Sequence, residues 1–248
     1  MNDYLNVSNL VVHLRDRHVV RNVSFNLGQG QIGCLLGPSG CGKTTTLRTI
    51  AGFEQPAEGE ISLENTLICS ARIHKPPEAR HIGMVFQRPN PLPLSVQDNV
   101  LFGHRLHRTA SCSRADEDAI VEQALRQVLL WDRVKDRLNK KATQLSLEEQ
   151  QKLCIARLLP TKPQVLLMDE PCSALDPEAT SAVEELIWEL RGKYSILIVT
   201  HNMAQARRAS DECVFMLLGK VIEHTATEQM FVAPEKKETS DYIEGRFG

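Results

Sequence analysis

Short apolar runs rich in β-branched residues recur along the chain and predict β-strands. They cover Ile32–Leu36, Val165–Met168, Ile196–Thr200 and Val214–Leu218. The second and third runs are hydrophobic without interruption, which is typical of strands that are buried on both faces of a parallel sheet. The pattern therefore predicts a parallel sheet with other elements packed on both of its faces.

The segment between the second and third runs predicts a helix. Asp176 can cap its first turn, Pro177 suits the first helical position, and Glu178 adds an acid near the amino terminus. Apolar residues then form one stripe over about residues 177–191, and Gly192 ends the pattern. The order strand, helix, strand predicts a βαβ unit, so the predicted fold class is α/β.

Residues 88–159 differ in pattern from the segments on either side. Prolines at positions 89, 91 and 93 exclude regular structure just after Gln87. An apolar stripe then predicts a helix over Asp116–Trp131. We therefore interpret 88–159 as a helical insertion in a single domain of residues 1–248, whose α/β core comprises 1–87 and 160–248.

The composition narrows the classes of function. With 29 Lys and Arg against 31 Asp and Glu, the net charge of −2 gives no basic surface that predicts a nucleic-acid partner. The apolar runs are too short to span a bilayer, and Met1–Leu10 lacks the pattern of a secretory signal. Seven scattered cysteines without a C-x-x-C pair indicate reduced thiols in a cytosolic protein rather than a zinc or redox site.

The segment GPSGCGKTT follows the first predicted strand and matches the nucleotide-binding pattern G-x-x-x-x-G-K-[ST]. Its glycines allow backbone amides to surround phosphates, and a helix predicted over Thr45–Ala51 adds the positive end of its dipole. We expect Lys43 to reach the β- and γ-phosphates and Thr44 to hold Mg²⁺. The predicted nucleotide-binding residues of this segment are Gly37, Pro38, Ser39, Gly40, Cys41, Gly42, Lys43, Thr44 and Thr45.

Two carboxylates, Asp169 and Glu170, end the predicted strand VLLMDE. Ligands of open α/β sheets bind at the carboxyl ends of strands. We expect Asp169 to hold Mg²⁺ through water and Glu170 to polarise an attacking water. Alone, this pair could be a solvated strand end; together with the glycine-rich segment it predicts a nucleotide hydrolase.

These motifs and three further residues resemble ATP-binding-cassette (ABC) ATPases along the whole chain. Gln87 matches the family's Q-loop glutamine, which contacts Mg²⁺. Asp176 lies in the match to the D-loop, and His201 matches the switch histidine that contacts the γ-phosphate. The resemblance implies ATP and Mg²⁺ as cofactors, with Glu170, His201 and Lys43 as catalytic residues.

The same resemblance implies the architecture and the assembly. The expected fold is a RecA-like P-loop core with a mostly parallel sheet, an N-terminal antiparallel β-subdomain and an inserted helical subdomain. The expected assembly is a head-to-tail homodimer in which each ATP lies between one subunit's phosphate loop and the other's LSGGQ segment. Integral-membrane permease subunits and a solute-binding protein are the expected partners, on the cytoplasmic face of the inner membrane.

Two parts of the chain resemble different importers within this family. Residues 37–87 are most similar to ferric-iron importers, whereas 88–107 and the C-terminal half closely resemble phosphate-import ATPases. In this family the segment around 88–107 lies near the groove that receives the permease, so phosphate is the expected solute and ferric iron the alternative. A non-hydrolytic regulatory cassette and a soluble cassette ATPase of DNA repair or translation are further hypotheses.

Two positions depart from the family pattern. Leu14 stands where an aromatic residue usually stacks on adenine, which predicts weaker nucleotide binding. The family's GGQ triplet is replaced by Leu147, Glu148 and Glu149, although Ser146 and Glu149 keep the capping-box pattern of a helix start. Leu147 adds bulk where the backbone should approach the phosphate. The carboxylates repel a phosphate by about 1 kcal/mol in water or ~4 kcal/mol at a dielectric of 20. Both changes predict a weakened ATP site at the dimer interface and slow turnover.

Overall fold

The computed structural model describes residues 3–15, 17–107 and 112–246. Ten strands in this part of the chain form two sheets. In chain order the strands are β1 (Asp3–Leu14), β2 (Arg17–Gly28), β3 (Ile32–Leu36), β4 (Glu58–Leu63), β5 (Thr66–Ser70), β6 (Ile82–Val85), β7 (Val165–Asp169), β8 (Ser195–Thr200), β9 (Glu212–Leu217) and β10 (Lys220–Ala226).

The larger sheet confirms the predicted α/β fold class. Its strand order is β10-β9-β3-β8-β7-β6, and only the edge strand β10 runs antiparallel to its neighbour. Every residue of β3, β7 and β8 is buried, because both faces of the sheet are covered. The smaller sheet has the order β2-β1-β4-β5 and is antiparallel throughout, as the resemblance implied.

Nine helices accompany these strands in the described residues. They are α1 (Lys43–Ala51), α2 (Val96–His107), α3 (Arg114–Gln127), α4 (Trp131–Val134), α5 (Leu147–Ala156), α6 (Pro177–Leu190), α7 (Met203–Ala209), α8 (Thr227–Val232) and α9 (Lys237–Ile243). None of these is long and apolar enough to cross a membrane. Helices α2 to α5 lie between β6 and β7, where the helical insertion was predicted; its boundaries at 88 and 159 stay a prediction.

Two hydrophobic clusters cover the two faces of the larger sheet. Alternate residues of β7 separate them, because successive side chains of a strand point to opposite faces. Leu166 belongs to a cluster with residues of α2, α3, α5 and α6. Leu167 belongs to a cluster with α1 and the antiparallel sheet. The helix α1 is therefore fixed between the two sheets.

The predicted bounds of several elements were wrong; α1, for example, begins at Lys43 rather than at Thr45. The helix predicted over Asp116–Trp131 begins at Arg114, because Ser113 is its N-cap. It ends at Gln127, because Leu129 has a φ of +54°, which is incompatible with a right-handed helix. The strand predicted to end at Leu218 ends at Leu217, because Leu218 and the following glycine form the turn to β10. For α6, the Asp176 cap is confirmed: its Oδ1 accepts from the Ala179 amide at 2.9 Å.

Candidate functional site

The glycine-rich segment connects β3 to α1 and has a backbone that other residues would not adopt. Gly42, the residue before α1, has a φ of +104°, and a Cβ there would lie 2.9 Å from the Val19 carbonyl oxygen. At Gly37, a Cβ would lie 2.2 Å from the Met216 carbonyl oxygen. Both positions require glycine, so the loop holds a tight curve that presents amides at the amino terminus of α1.

Lys43 is the charged group of this loop, and it is almost completely buried. Its Nζ donates to the carbonyl oxygens of Gly37 at 2.6 Å and Pro38 at 3.0 Å. These hydrogen bonds hold the ammonium inside the curve of the loop. A buried cation that is held by neutral groups, here two carbonyls and the Cys41 sulfur at 3.8 Å, has charge available for an anionic ligand.

Thr44 and Asp169 meet at the first turn of α1. The Thr44 hydroxyl donates to Asp169 Oδ1 over 3.0 Å. Burial raises the pKa of the Asp169 carboxyl, and the hydrogen bond from Thr44 opposes that rise. A hydroxyl and a carboxylate oxygen at the end of a strand form the hard-oxygen ligand set that Mg²⁺ prefers. The residues present therefore fit the predicted Mg²⁺ site.

Glu170 brings together the remaining catalytic residues that the sequence predicted. The Gln87 Nε2 donates to one of its carboxylate oxygens at 3.1 Å, and the His201 Nδ1 donates to the other at 2.8 Å. Glu170 has a φ of +47°, and its amide donates to the Val199 carbonyl at 2.8 Å. Such a backbone conformation is costly for a residue other than glycine, so the neighbouring strand holds the carboxylate in place.

Lys43, Thr44, Gln87, Glu170 and His201 line one cavity of about 450 Å³. Four predicted residues are not part of its lining, namely Gly37, Pro38, Cys41 and Asp169. Leu14 is not part of it either; it ends β1 and is 37% exposed. Val19 of β2 lines the cavity instead, and no signal in the sequence pointed to it. The lining residues are Val19, Ser39, Gly40, Gly42, Lys43, Thr44, Thr45, Gln87, Glu170 and His201.

Four of the five predicted dimer-interface residues line a separate cavity, whereas Glu149 is buried and does not. Ser146, Leu147, Glu148 and Asp176 line a second cavity of about 400 Å³, which shares no lining residue with the first. The predicted capping box is confirmed. The Glu149 amide donates to Ser146 Oγ at 3.2 Å, and the Ser146 amide donates to Glu149 Oε2 at 3.0 Å. This reciprocal pair begins α5.

The two carboxylates that were expected to repel a phosphate are both ion-paired within the chain. Glu148 forms ion pairs with Arg133 at 2.8 Å and with Lys152 at 3.0 Å, and Glu149 forms one with Arg137 at 2.7 Å. Burial alone would raise the pKa of the Glu148 carboxyl, but hydrogen bonds from Arg133 and Lys152 outweigh it and lower that pKa. The sequence could not show this, because Arg133 and Arg137 belong to a different part of the chain.

Arg80 is a further residue that sequence reasoning missed. Its surroundings in the sequence, HKPPEAR, read as a polar loop, yet the side chain is 1% exposed. It donates to the carbonyl oxygens of Lys75, Thr49 and Ile50 at 2.7, 2.8 and 2.9 Å. The last two belong to the final turn of α1, whose carbonyls lack partners within the helix. Arg80 thus anchors the end of the helix that carries Lys43.

Comparison with known proteins gives two similar solved structures. The dimeric post-hydrolysis state of the ATP-binding cassette MJ0796, bound to ADP and Pi, has a TM-score of 0.77 and 26% identity over 90% of this chain and 98% of that one. The ADP conformation of MJ1267, an ATP-binding cassette of an ABC transporter, has a TM-score of 0.80 and 23% identity over 99% and 100%. Both comparisons confirm the predicted P-loop ABC ATPase fold.

A protein-family comparison covers most of the predicted site residues, but not His201. The family described as "ABC transporter" matches residues 20–173. The matched range contains the phosphate loop, Gln87, the altered LSLEE segment and the pair Asp169 and Glu170. The match extends over more than half of the sequence, and the chain therefore belongs to the ABC transporter family.

Proposed function

We propose that this protein is the ATP-hydrolysing subunit of an ABC importer for inorganic phosphate. The observation that carries the hydrolytic part is the arrangement around Glu170. Its carboxylate accepts hydrogen bonds from Gln87 and His201 beside the cavity that contains Lys43. Three segments far apart in the sequence thus meet at one carboxylate next to a phosphate-binding loop.

The predicted site residues have separate roles in this proposal. Lys43 and the loop amides bind the β- and γ-phosphates of ATP, and Thr44, Asp169 and Gln87 would hold Mg²⁺, which when bound would supply positive charge to offset that of the phosphates. Glu170 accepts a proton from the attacking water, and His201 orients that carboxylate through its Nδ1 hydrogen bond.

The test of hydrolysis is the substitution Glu170→Gln. Glutamine keeps the size of the side chain but cannot accept the proton, so we expect the turnover number to fall by about 10²- to 10⁴-fold while ATP still binds. Glu185→Gln is the matched control, because Glu185 is exposed on α6. If Glu170→Gln hydrolyses ATP at the rate of the Glu185→Gln control, Glu170 is not the base.

The proposed active form is a head-to-tail homodimer. Support comes from the similar cassette MJ0796, whose solved structure is dimeric, and from the exposed position of Ser146, Leu147 and Asp176 on a separate cavity. In the dimer each ATP would contact the phosphate loop of one subunit and the LSLEE segment of the other. Because the latter is altered, we propose weak ATP-driven dimerisation and slow turnover.

The triple substitution Leu147→Gly, Glu148→Gly and Glu149→Gln tests this altered site. We expect it to raise ATPase activity and ATP-dependent dimerisation together, as measured by turnover and by size-exclusion chromatography. Robust activity in the parent that the triple variant does not improve would contradict the proposal. Absence of turnover in both, with intact ATP binding, would favour the second candidate, a non-hydrolytic regulatory cassette, which the altered segment also supports.

Phosphate as the solute rests on the resemblance of residues 88–107. In this proposal the protein lies peripherally on the cytoplasmic face of the inner membrane, bound to permease subunits that receive solute from a binding protein. It has no nucleic-acid partner. Exchange of 88–107 for the corresponding segment of a ferric-iron importer should abolish phosphate uptake and leave ATP binding intact. Continued phosphate uptake would show that residues 88–107 do not select the permease, and the resemblance of this segment would no longer support the choice of solute.

A further inference from the structure

The polar side chains of the LSLEE segment are already occupied within the chain. Ser146 and Glu149 satisfy each other in the capping box. The side-chain amide of Gln150 donates to the Leu145 carbonyl at 2.8 Å. Glu148 and Glu149 belong to an ion-pair cluster with Arg133, Arg137 and Lys152.

The ion-pair cluster changes the electrostatics that the sequence alone suggests. Its three basic side chains exceed its two carboxylates, so its sum is one positive charge. Arg133 contacts both glutamates, and Lys152 is almost completely buried beside Glu148. Each glutamate therefore has a basic nitrogen within about 3 Å of a carboxylate oxygen, which compensates its negative charge. A phosphate that approaches α5 meets compensated charge rather than two free carboxylates.

Leu147 differs from its neighbours in this segment. It is the first residue of α5, is 54% exposed, and belongs to none of the hydrophobic clusters. Its side chain lies on the cavity that Ser146 and Asp176 also line. The first amides of a helix have no partner within the helix and are the donors that an anion would use. Leu147 thus adds apolar volume beside those donors.

We propose that the volume of Leu147, and not the charge of Glu148 and Glu149, limits the approach of a nucleotide phosphate to the amino terminus of α5. The inference rests on the proposed function, since the phosphate belongs to ATP that a second copy of this chain holds. A hydrogen bond from an amide requires a donor–acceptor distance of about 2.7–3.2 Å. The exposed, branched side chain of Leu147 would keep the phosphate beyond that distance in the proposed dimer, whereas the paired carboxylates would not.

Single substitutions in the full-length protein separate volume from charge. We expect Leu147→Gly to raise the steady-state ATPase rate by about 10- to 100-fold, the scale on which an ångström of misplacement acts. Glu148→Gln and Glu149→Gln should not raise it, because each removes a charge that the cluster already compensates. Thermal unfolding checks that all three variants fold. We expect Leu147→Gly to fold like the parent, because Leu147 is exposed.

Salt dependence gives a second readout. The Debye length, over which salt screens an electrostatic interaction, falls from about 10 Å at 0.1 M salt to about 3 Å at 1 M. If volume is limiting, the rate ratio of Leu147→Gly to parent stays constant over this range. A ratio that falls towards one as salt rises, with Glu148→Gln as active as Leu147→Gly, would overturn the inference in favour of charge.

The ion-pair cluster is tested in the Leu147→Gly background. The substitution Arg133→Ala should cancel part of the gain, because it leaves Glu148 with its pair to Lys152 alone and lowers the sum of the cluster from one positive charge to zero. The matched control is Lys135→Ala, since Lys135 lies just beyond α4 and its ion pair within the described residues is with the exposed Asp132. Equal rates in the two double variants would overturn the role of the cluster.

The triple variant separates failure of this inference from failure of the proposed function. If the triple substitution raises ATPase activity and Leu147→Gly does not, only the assignment to Leu147 is overturned. If neither raises activity although ATP binds, the composite site itself is contradicted, and both proposals fall. ATP-dependent dimerisation in the Glu170→Gln background reports on the same contact without hydrolysis.

Discussion

Replacement of Arg80 by methionine should destabilise the protein through the end of α1. Methionine keeps an unbranched apolar stem of similar course but has no donor. Three carbonyl oxygens currently accept from the guanidinium, those of Lys75, Thr49 and Ile50. Of these, Thr49 also accepts from the Gly52 amide at 3.2 Å and so keeps a partner in the variant.

The size of the effect follows from the two carbonyls that lose their donor. A buried polar group without a hydrogen bond costs about 1–3 kcal/mol, which gives about 2–6 kcal/mol for Lys75 and Ile50. Removal of a buried charge returns part of this cost, because the guanidinium no longer has to be desolvated. We therefore expect the free energy of unfolding to fall by about 2–4 kcal/mol. The loss is large because Arg80 is 1% exposed, so water cannot replace the donor.

Urea denaturation at constant temperature measures this change through the midpoint at an unchanged slope. For a chain of this size, 1 kcal/mol corresponds to about 2–4 °C, so the melting temperature should fall by about 5–15 °C. Arg72→Met is the matched control, because Arg72 is exposed in the same connection, and it should stay within about 0.5 kcal/mol of the parent.

The intermediate substitution Arg80→Lys should lie between these two. Lysine retains a positive charge at the carboxyl end of α1, but a single ammonium cannot span three carbonyls. A loss for Arg80→Met that equals the Arg72→Met control would refute the reasoning. It would mean that α1 ends stably without its anchor.

Four other substitutions test separate parts of the site and the core. Lys43→Ala should weaken MgATP binding by at least about tenfold, because it removes a charged donor worth about 1.5–3 kcal/mol; calorimetry with an unchanged dissociation constant would contradict this. Leu14→Tyr should tighten ATP binding by up to about 1–3 kcal/mol if the ring reaches the base, and equal affinities would refute that contact. Gln151→Leu should raise the free energy of unfolding by about 1–3 kcal/mol, because Gln151 is 0% exposed and neither of its amide atoms has a hydrogen-bond partner in the described residues; a lower urea midpoint would be the opposite result. The ordinary pKa of a glutamate is about 4.5, and that of Glu148 is lowered in the folded protein. At pH values above 4.5 the ionised Glu148 therefore stabilises the fold, and this contribution is lost as the pH falls through the lowered native pKa. Glu148→Gln should therefore flatten the stability profile below about pH 4.5, and parallel profiles would show that the pairs contribute nothing.

Local chemistry made the phosphate loop and several helix starts predictable. A strand, a glycine-rich turn and a helix follow each other within GPSGCGKTT and its flanks, so spacing alone specifies the backbone. The caps of α5 and α6 were predictable for the same reason. In each, a side chain satisfies an amide three residues away, at Glu149 and at Ala179.

The bounds of α3 show where local signals fail. The sequence has an apolar stripe that continues to Trp131, but the left-handed backbone at Leu129 ends the helical path before it. No glycine marks this position; the helix end is closed by the Leu130 amide, which donates to the Leu125 carbonyl at 2.9 Å. The antiparallel sheet was expected only from the family resemblance, for a related reason. Its strands pair across bulges that periodicity does not show.

Motif spacing alone predicted the chemical groups of the site, since it placed a lysine and a threonine at the start of a helix and two carboxylates at the end of a strand. The distant groups that face them became known only from the folded chain. Gln87 lies 83 residues from Glu170, and His201 lies 31 residues from it, yet both donate to the same carboxylate. The contacts of Arg80 and of the ion-pair cluster around Glu148 also join segments that are far apart in the sequence. Such contacts depend on the path of the chain through both sheets, and no periodicity of neighbouring residues encodes the partner of a buried charge.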